Sequence, residues 1–165
     1  MESTWYNGPC LIEEMNRSDI PKRDPDGPLR IPVTDKFRDM GQLYLYGKLE
    51  SGKIAYEGQD VTVLPSRRYF TIKEIMNAKD EKLPYALSGE NVKIRVKGIE
   101  ENEIKRGNII CSNMNYCQES MEFKAQLTVL ELPEQKKIVS SGYECVLHMH
   151  AISEGAEIAD VEGKV

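Results

Sequence analysis

Six basic side chains crowd one part of this sequence, and phosphate contact is the chemistry they offer. Lys36, Arg38, Lys48 and Lys53 surround the stretch QLYLYGKL (42–49), and Arg67 and Arg68 lie in the next turn region. Lysine and arginine at loop tips hold a protein on a polyanionic backbone without reading bases. The competing reading is a solvated face of ordinary charge. The chain as a whole is acidic, with net charge −5, so any polyanion-facing surface must be a local patch. Residues 1–75 carry 11 basic and 12 acidic side chains, whereas residues 76–165 carry 11 and 15, which favours the first half.

Other reactive side chains have weaker spacing. His148 and His150 are two apart on a strand-like stretch and share a face with Glu144, while Cys145 points the other way. A zinc site needs three or four converging ligands, so hydrogen-bonded histidines on a half-buried strand are the simpler reading. Cys111 and Cys117 are six apart, too far for a zinc knuckle, and read as structural thiols. With Cys10 and Cys145 they are too few and too scattered for a disulfide scaffold. Neither Glu13–Glu14 nor the Glu100, Glu101 and Glu103 group has a neighbour that would raise a carboxylate pKa. Ser51, Ser88 and Ser141 each adjoin glycine without a nucleophile-elbow pattern. The chain contains no GxxxxGK[ST] loop and no GxGxxG. No catalytic, cofactor or metal residue is readable.

The elements that must position these groups are mostly strands. GPCLIEEMNR (8–17) predicts a short helix, with Pro9 at its first position and Leu11, Ile12 and Met15 at helical spacing. A proline-rich linker follows. LRIPV (29–33) is strand-like, with Pro32 marking an edge or a strand end. QLYLYGKL (42–49) alternates Leu43, Leu45 and Gly47 against Tyr44, Tyr46 and Lys48, and a glycine there fits a barrel corner or a close backbone approach. With DVTVLP (60–65), RYFTIKEI (68–75), VKIRVK (92–97) and GNIIC (107–111), about six short strands predict a small barrel or sandwich. Beyond a polar stretch, EFKAQLTVLEL (122–132) and YECVLHMHAIS (143–153) predict two long strands, with a weaker AEIADVEGKV (156–165). Those cannot close a barrel by themselves. No apolar run is long enough for a membrane-spanning helix.

The order of the stretches adds a resemblance. WYNGPCLIEEM, KRDPDGPLRIPVTDKFRDMGQLYLYGKLESGKI, LSGENVKIRVKGIEENEIKRGNIIC, FKAQLTVLE and SGYECVLHMHA together resemble the translation-factor GTPases related to elongation factor 1-alpha, from Trp5 to about Ile158. Within that superfamily, DGPLRIPVTDKFRDMG and IICSNMNYC are most similar to the class-II eukaryotic peptide chain release factor, the GTP-binding subunit. The alternatives are a ribosome-rescue or elongation-factor-1-alpha-like GTPase fragment, or a stand-alone shortened adaptor paralogue.

The resemblance implies an all-β chain with a short N-terminal helix. Residues 1–27 would be the end of the GTPase domain plus a linker. Residues 28–116 would be the translation-factor β-barrel of the second domain, and 117–165 a partial third-domain barrel. It implies docking on small-subunit ribosomal RNA and binding to the class-I release factor, in the cytoplasm and without a membrane. The loop from Arg38 to Gly41 matches the position from which related factors approach RNA. Met40 and Gly41 therefore join Lys36, Arg38, Lys48 and Lys53 as candidate RNA contacts; the release-factor contacts are unknown. GTP and Mg²⁺ are expected for the GTPase core, which this stretch lacks, so the chain itself is not expected to be an enzyme. A half-built third barrel predicts edge-strand self-association, or disorder beyond about Glu154.

Overall fold

In the computed structural model, which describes residues 5, 6, 8–19, 22–132, 134 and 137–162, the chain forms one closed barrel, a separate hairpin and a short helix. The helix α1 (Leu11–Arg17) begins two residues beyond Pro9, because the Glu13 carboxylate accepts the Cys10 N–H at 2.9 Å and makes Cys10 the cap. Its apolar residues Leu11, Ile12 and Met15 are all exposed.

Ten strands follow. They are β1 (Arg30–Asp39), β2 (Gln42–Lys48), β3 (Lys53–Ile54), β4 (Asp60–Leu64), β5 (Arg68–Met76), β6 (Ala86–Leu87), β7 (Asn91–Lys97), β8 (Ile109–Ser112), β9 (Tyr143–Met149) and β10 (Ile152–Ile158). Six of them close in the order β1-β2-β7-β5-β4-β8, while β3 pairs with β6 and β9 with β10. Period-two alternation sends Leu43 and Leu45 of β2, and Val92, Ile94 and Val96 of β7, into one buried core.

Three local devices depart from simple alternation. At β5 a bulge between Ile72 and Glu74 adds one residue, so Ile72 and Ile75 both reach the interior although they are three apart. At Pro32 the strand does not stop but runs on to Asp39. The ring is tolerated because β1 changes partner there: Pro32 is the last residue in register with β8, and the ladder to β2 begins at Val33. At Gly47 the glycine meets the predicted close approach. A Cβ there would lie 2.6 Å from Ile31 Cγ2 and 2.7 Å from the Pro32 carbonyl oxygen.

Beyond the barrel two expectations are corrected. Residues 122–132 carry no strand, although they alternate well, because no neighbouring strand offers their N–H and C=O groups a ladder. The chain beyond Glu154 stays ordered in β10 as far as Ile158, held by its pairing with β9. The end of AEIADVEGKV, residues 163–165, lies outside the described residues. Among the described residues no helix is long and apolar enough to cross a membrane.

Candidate nucleic-acid interface

The β1–β2 hairpin closes through Met40 and Gly41, with Asp39 paired to Gln42. Both turn residues have positive φ, 44° and 77°, as a tight two-residue turn matched to strand twist requires. A Cβ at Gly41 would meet nothing within 4 Å, so this glycine serves the backbone angle and not a crowded approach. Met40 bears the left-handed strain of an L-residue and is 95% exposed.

The cations around this tip are already engaged. Lys36 Nζ donates to the Glu101 carbonyl and, at 2.6 Å, to the Ile104 carbonyl. Those carbonyls belong to the 3-10 turn Glu101–Glu103 and the residue after it, so Lys36 staples β1 to that turn. Arg38 lies 3.2 Å from the Glu100 carboxylate and 3.9 Å from that of Glu101. Arg68 pairs with Glu103 at 3.0 Å, and Arg67 with Glu119 at 3.7 Å.

The remaining two candidates are elsewhere. Lys48 pairs with Glu50, and Lys53 with Asp26, each at 3.3 Å. Both lie at or past the far end of β2, which at about 3.3 Å per residue puts them roughly 20 Å from Gln42. Of the six candidates, the fold therefore groups Lys36, Arg38, Met40 and Gly41 and leaves Lys48 and Lys53 at the opposite end.

Lys97, Lys105 and Arg106 are exposed and, among the described residues, take part in no ion pair. Lys97 ends β7 just past Val96, which pairs with Leu43 near the start of β2. Lys105 and Arg106 follow the turn that Lys36 holds, but the next residue, Gly107, donates its N–H to the Val33 carbonyl at 2.8 Å, and Val33 pairs with Gly47 beside Lys48, so these two lie toward the other end of the β1–β2 ladder. Nothing in the sequence singles them out, because they flank the acidic run Glu100–Glu103. Only the fold, which brings Arg38 to a residue 62 positions away and pairs Val96 with Leu43, shows Lys97 beside the hairpin tip.

The wall below the tip is aromatic. The Phe37 ring stacks on Tyr44 at 5.0 Å and on Tyr46 at 5.5 Å, and Lys93 Nζ lies 5.0 to 5.9 Å from all three ring centres. A hydrogen bond to Asp80 raises the Lys93 pKa. Nearby, Lys82 at 2.7 Å and then Arg95 at 2.9 Å hold the Glu74 carboxyl below its ordinary range.

The histidine face does not form. His150 leaves β9 for the turn with φ 52°, where its Nδ1 lies 3.7 Å from Glu50. Among the described residues, no three potential ligands converge on a metal position.

A closed barrel of this strand order followed by a second β unit is the architecture of translation-factor barrel domains. A solved structure of SelB from Methanococcus maripaludis with a GTP analogue superposes on 89% of this chain and 32% of its own, with a TM-score of 0.68 at 18% identity, which speaks to fold alone. A structure of Sup35 complexed with GMPPNP superposes on 94% of the chain and 36% of its own, with a TM-score of 0.75 at 31% identity. In sequence the chain is a homologue of the eukaryotic peptide chain release factor GTP-binding subunits. It is 32% identical over 161 residues to that of Candida albicans and 35% identical over 164 residues to that of Zygosaccharomyces rouxii. Those matches cover 98% and 99% of this chain but only 22% and 24% of the relatives, so it spans about a fifth to a quarter of their length. No family model matches the chain.

Proposed function

We propose that this chain is the non-catalytic β-barrel region of a translation-termination GTPase, docking on small-subunit ribosomal RNA and binding the class-I release factor in the cytoplasm. Its similarity, along almost its whole length, to release factor GTP-binding subunits carries this reading. No GxxxxGK[ST] and no NKxD occurs in the 165 residues. Bare D-x-x-G spacing occurs at Asp24–Gly27 and again at Asp160–Gly163, in neither case with a GxxxxGK[ST] or NKxD elsewhere in the chain. GTP and Mg²⁺ would act on residues of the parent protein outside this stretch, and the chain itself would turn over no nucleotide.

In this reading the RNA-facing surface is the hairpin end of the barrel. Met40 and Gly41 form its tip, and Lys97 supplies unpaired charge beside it. Arg38 and Arg68 would exchange a glutamate for phosphate, whereas Lys36 stays committed to its two carbonyls. Binding to purified small ribosomal subunits across a salt series tests this. Lys97→Glu should weaken binding and flatten the salt dependence by roughly one unit of slope. Lys48→Glu with Lys53→Glu should leave both unchanged. The reverse pattern would move the interface to the other end. Calorimetric titration with the class-I release factor, using its ribosome-rescue counterpart as comparator, tests the second partner.

A further inference from the structure

Cys111 and Cys117, unremarkable by spacing, meet in the folded chain. Cys111 lies on β8 between Arg30 of β1 and Thr62 of β4. Its neighbour Ile110 fills the barrel core, so Cys111 faces the outer wall, yet it is fully buried there. The segment that covers it is the chain itself, turning back after β8.

That cover is pinned at several points. The Ser112 carbonyl accepts the Asn115 N–H at 3.2 Å, and the Thr62 hydroxyl donates to Asn113 Oδ1 at 2.6 Å. The Arg30 guanidinium donates to the Asn115 carbonyl at 2.7 Å and to its Oδ1 at 3.3 Å. The Tyr69 and Tyr116 hydroxyls lie 3.1 Å apart. Asn115 and Tyr116 are thereby held over Arg30 and Tyr69, on either side of Cys111 in the sheet, and the half-buried Cys117 thiol that follows lies within electrostatic reach of the Cys111 thiol.

We propose that Cys111 and Cys117 form a reversible disulfide that locks the fold-back segment onto the barrel wall, with oxidised glutathione or a similar small disulfide as the oxidant. The partly exposed Cys117 sulfur attacks one glutathione sulfur, forms a mixed disulfide and releases one glutathione thiol. The buried Cys111 sulfur then attacks Cys117 Sγ, closes the protein disulfide and releases the second glutathione thiol. The two thiol hydrogens of the protein end on the two reduced glutathiones, so atoms and electrons balance. Cys111 is shielded from reagents in solution and placed to resolve the adduct on its neighbour. Burial, and then the adjacent thiol, push Cys117 up to about 11, so the pair is slow to react at neutral pH and closes faster as pH rises. Closure would fix covalently the stretch that joins the barrel to the unit containing β9 and β10.

The test uses the whole chain. No lysine or arginine lies between Arg106 and Lys124, so one tryptic peptide, residues 107–124, carries both thiols. The chain is equilibrated across glutathione redox buffers, quenched with iodoacetamide under denaturing conditions and digested without reductant. The expected result is that peptide two hydrogens lighter, free of alkyl groups and glutathione, from monomeric protein. The exposed Cys10 and Cys145 should carry glutathione instead. Recovery of the 107–124 peptide with two alkyl groups, or with glutathione retained on Cys117, in buffers that fully modify Cys10 and Cys145 would overturn the proposal. So would linkage of either thiol to Cys10 or Cys145.

Discussion

Lys36 shows how one side chain can look like a ligand contact and serve the fold. Its ammonium is committed to the carbonyls of Glu101 and Ile104, the first of which also accepts the Ile104 N–H at 3.4 Å. Lys36→Ala should therefore cost about 1–3 kcal/mol of stability, the range for losing hydrogen bonds from a charged donor, measurable by urea unfolding. Met40 is the opposite case. It holds φ 44° with its side chain in solvent, so Met40→Gly should raise stability by about 1 kcal/mol. If that variant is more stable and also binds small subunits less well, the strain is retained for contact. Glu74 sets an acid limit. Its folded pKa is depressed by Lys82 and Arg95, so its stabilisation is fully present above the ordinary value of 4.5 and lost as pH falls through the lower folded value. Unfolding followed from about pH 6 down to about pH 2 should show a shallower loss in Glu74→Gln than in the native chain.

At the scale of the element, what is legible in the sequence is simple alternation. β2 and β7 keep strict period two, and the residue order alone shows which of their side chains point inward. β5 is equally visible, but its bulge at Lys73 is not, because a one-residue insertion is a property of the pairing and leaves no mark in composition. β3 and β6 are two residues each, too short to carry a pattern. The 122–132 stretch has the pattern and forms no strand, since alternation states which faces a strand would have and says nothing of whether a partner is there. Gly47 is legible, as a glycine inside an alternating strand. Gly47→Ala should destabilise the barrel by about 1–3 kcal/mol, because the added Cβ meets a backbone oxygen that cannot swing away, and thermal melting would record it. No loss would mean that β1 shifts outward at Pro32.

For the whole molecule, the candidate site is legible in kind but not in place. The turn Met40–Gly41 stands out along the sequence. Proximity in sequence, however, mixes residues from both ends of the barrel and passes over Lys97, which only the pairing of β7 with β2 makes a neighbour of the hairpin. Among the described residues the barrel core draws none from beyond Ile110, and the fold-back through Cys117 covers its wall. A chain ending after Glu119 should thus unfold cooperatively near the midpoint of the full chain, whereas loss of cooperativity would show that the hairpin β9–β10 supports the barrel. Closure has one more consequence, and it concerns how the chain is made. β1 pairs Arg30 with Cys111, about 80 residues later, so its outer edge stays open until β8 has emerged from the synthesising machinery. At roughly 5–20 residues per second that delay is on the order of 4–16 s. In that interval the hairpins β1–β2 and β4–β5 can form, but the Ile31 and Val33 side of β1 waits for the end of the domain. The nascent barrel therefore carries a sticky seam for seconds, and its proper folding depends on keeping other strands away until its own last one arrives.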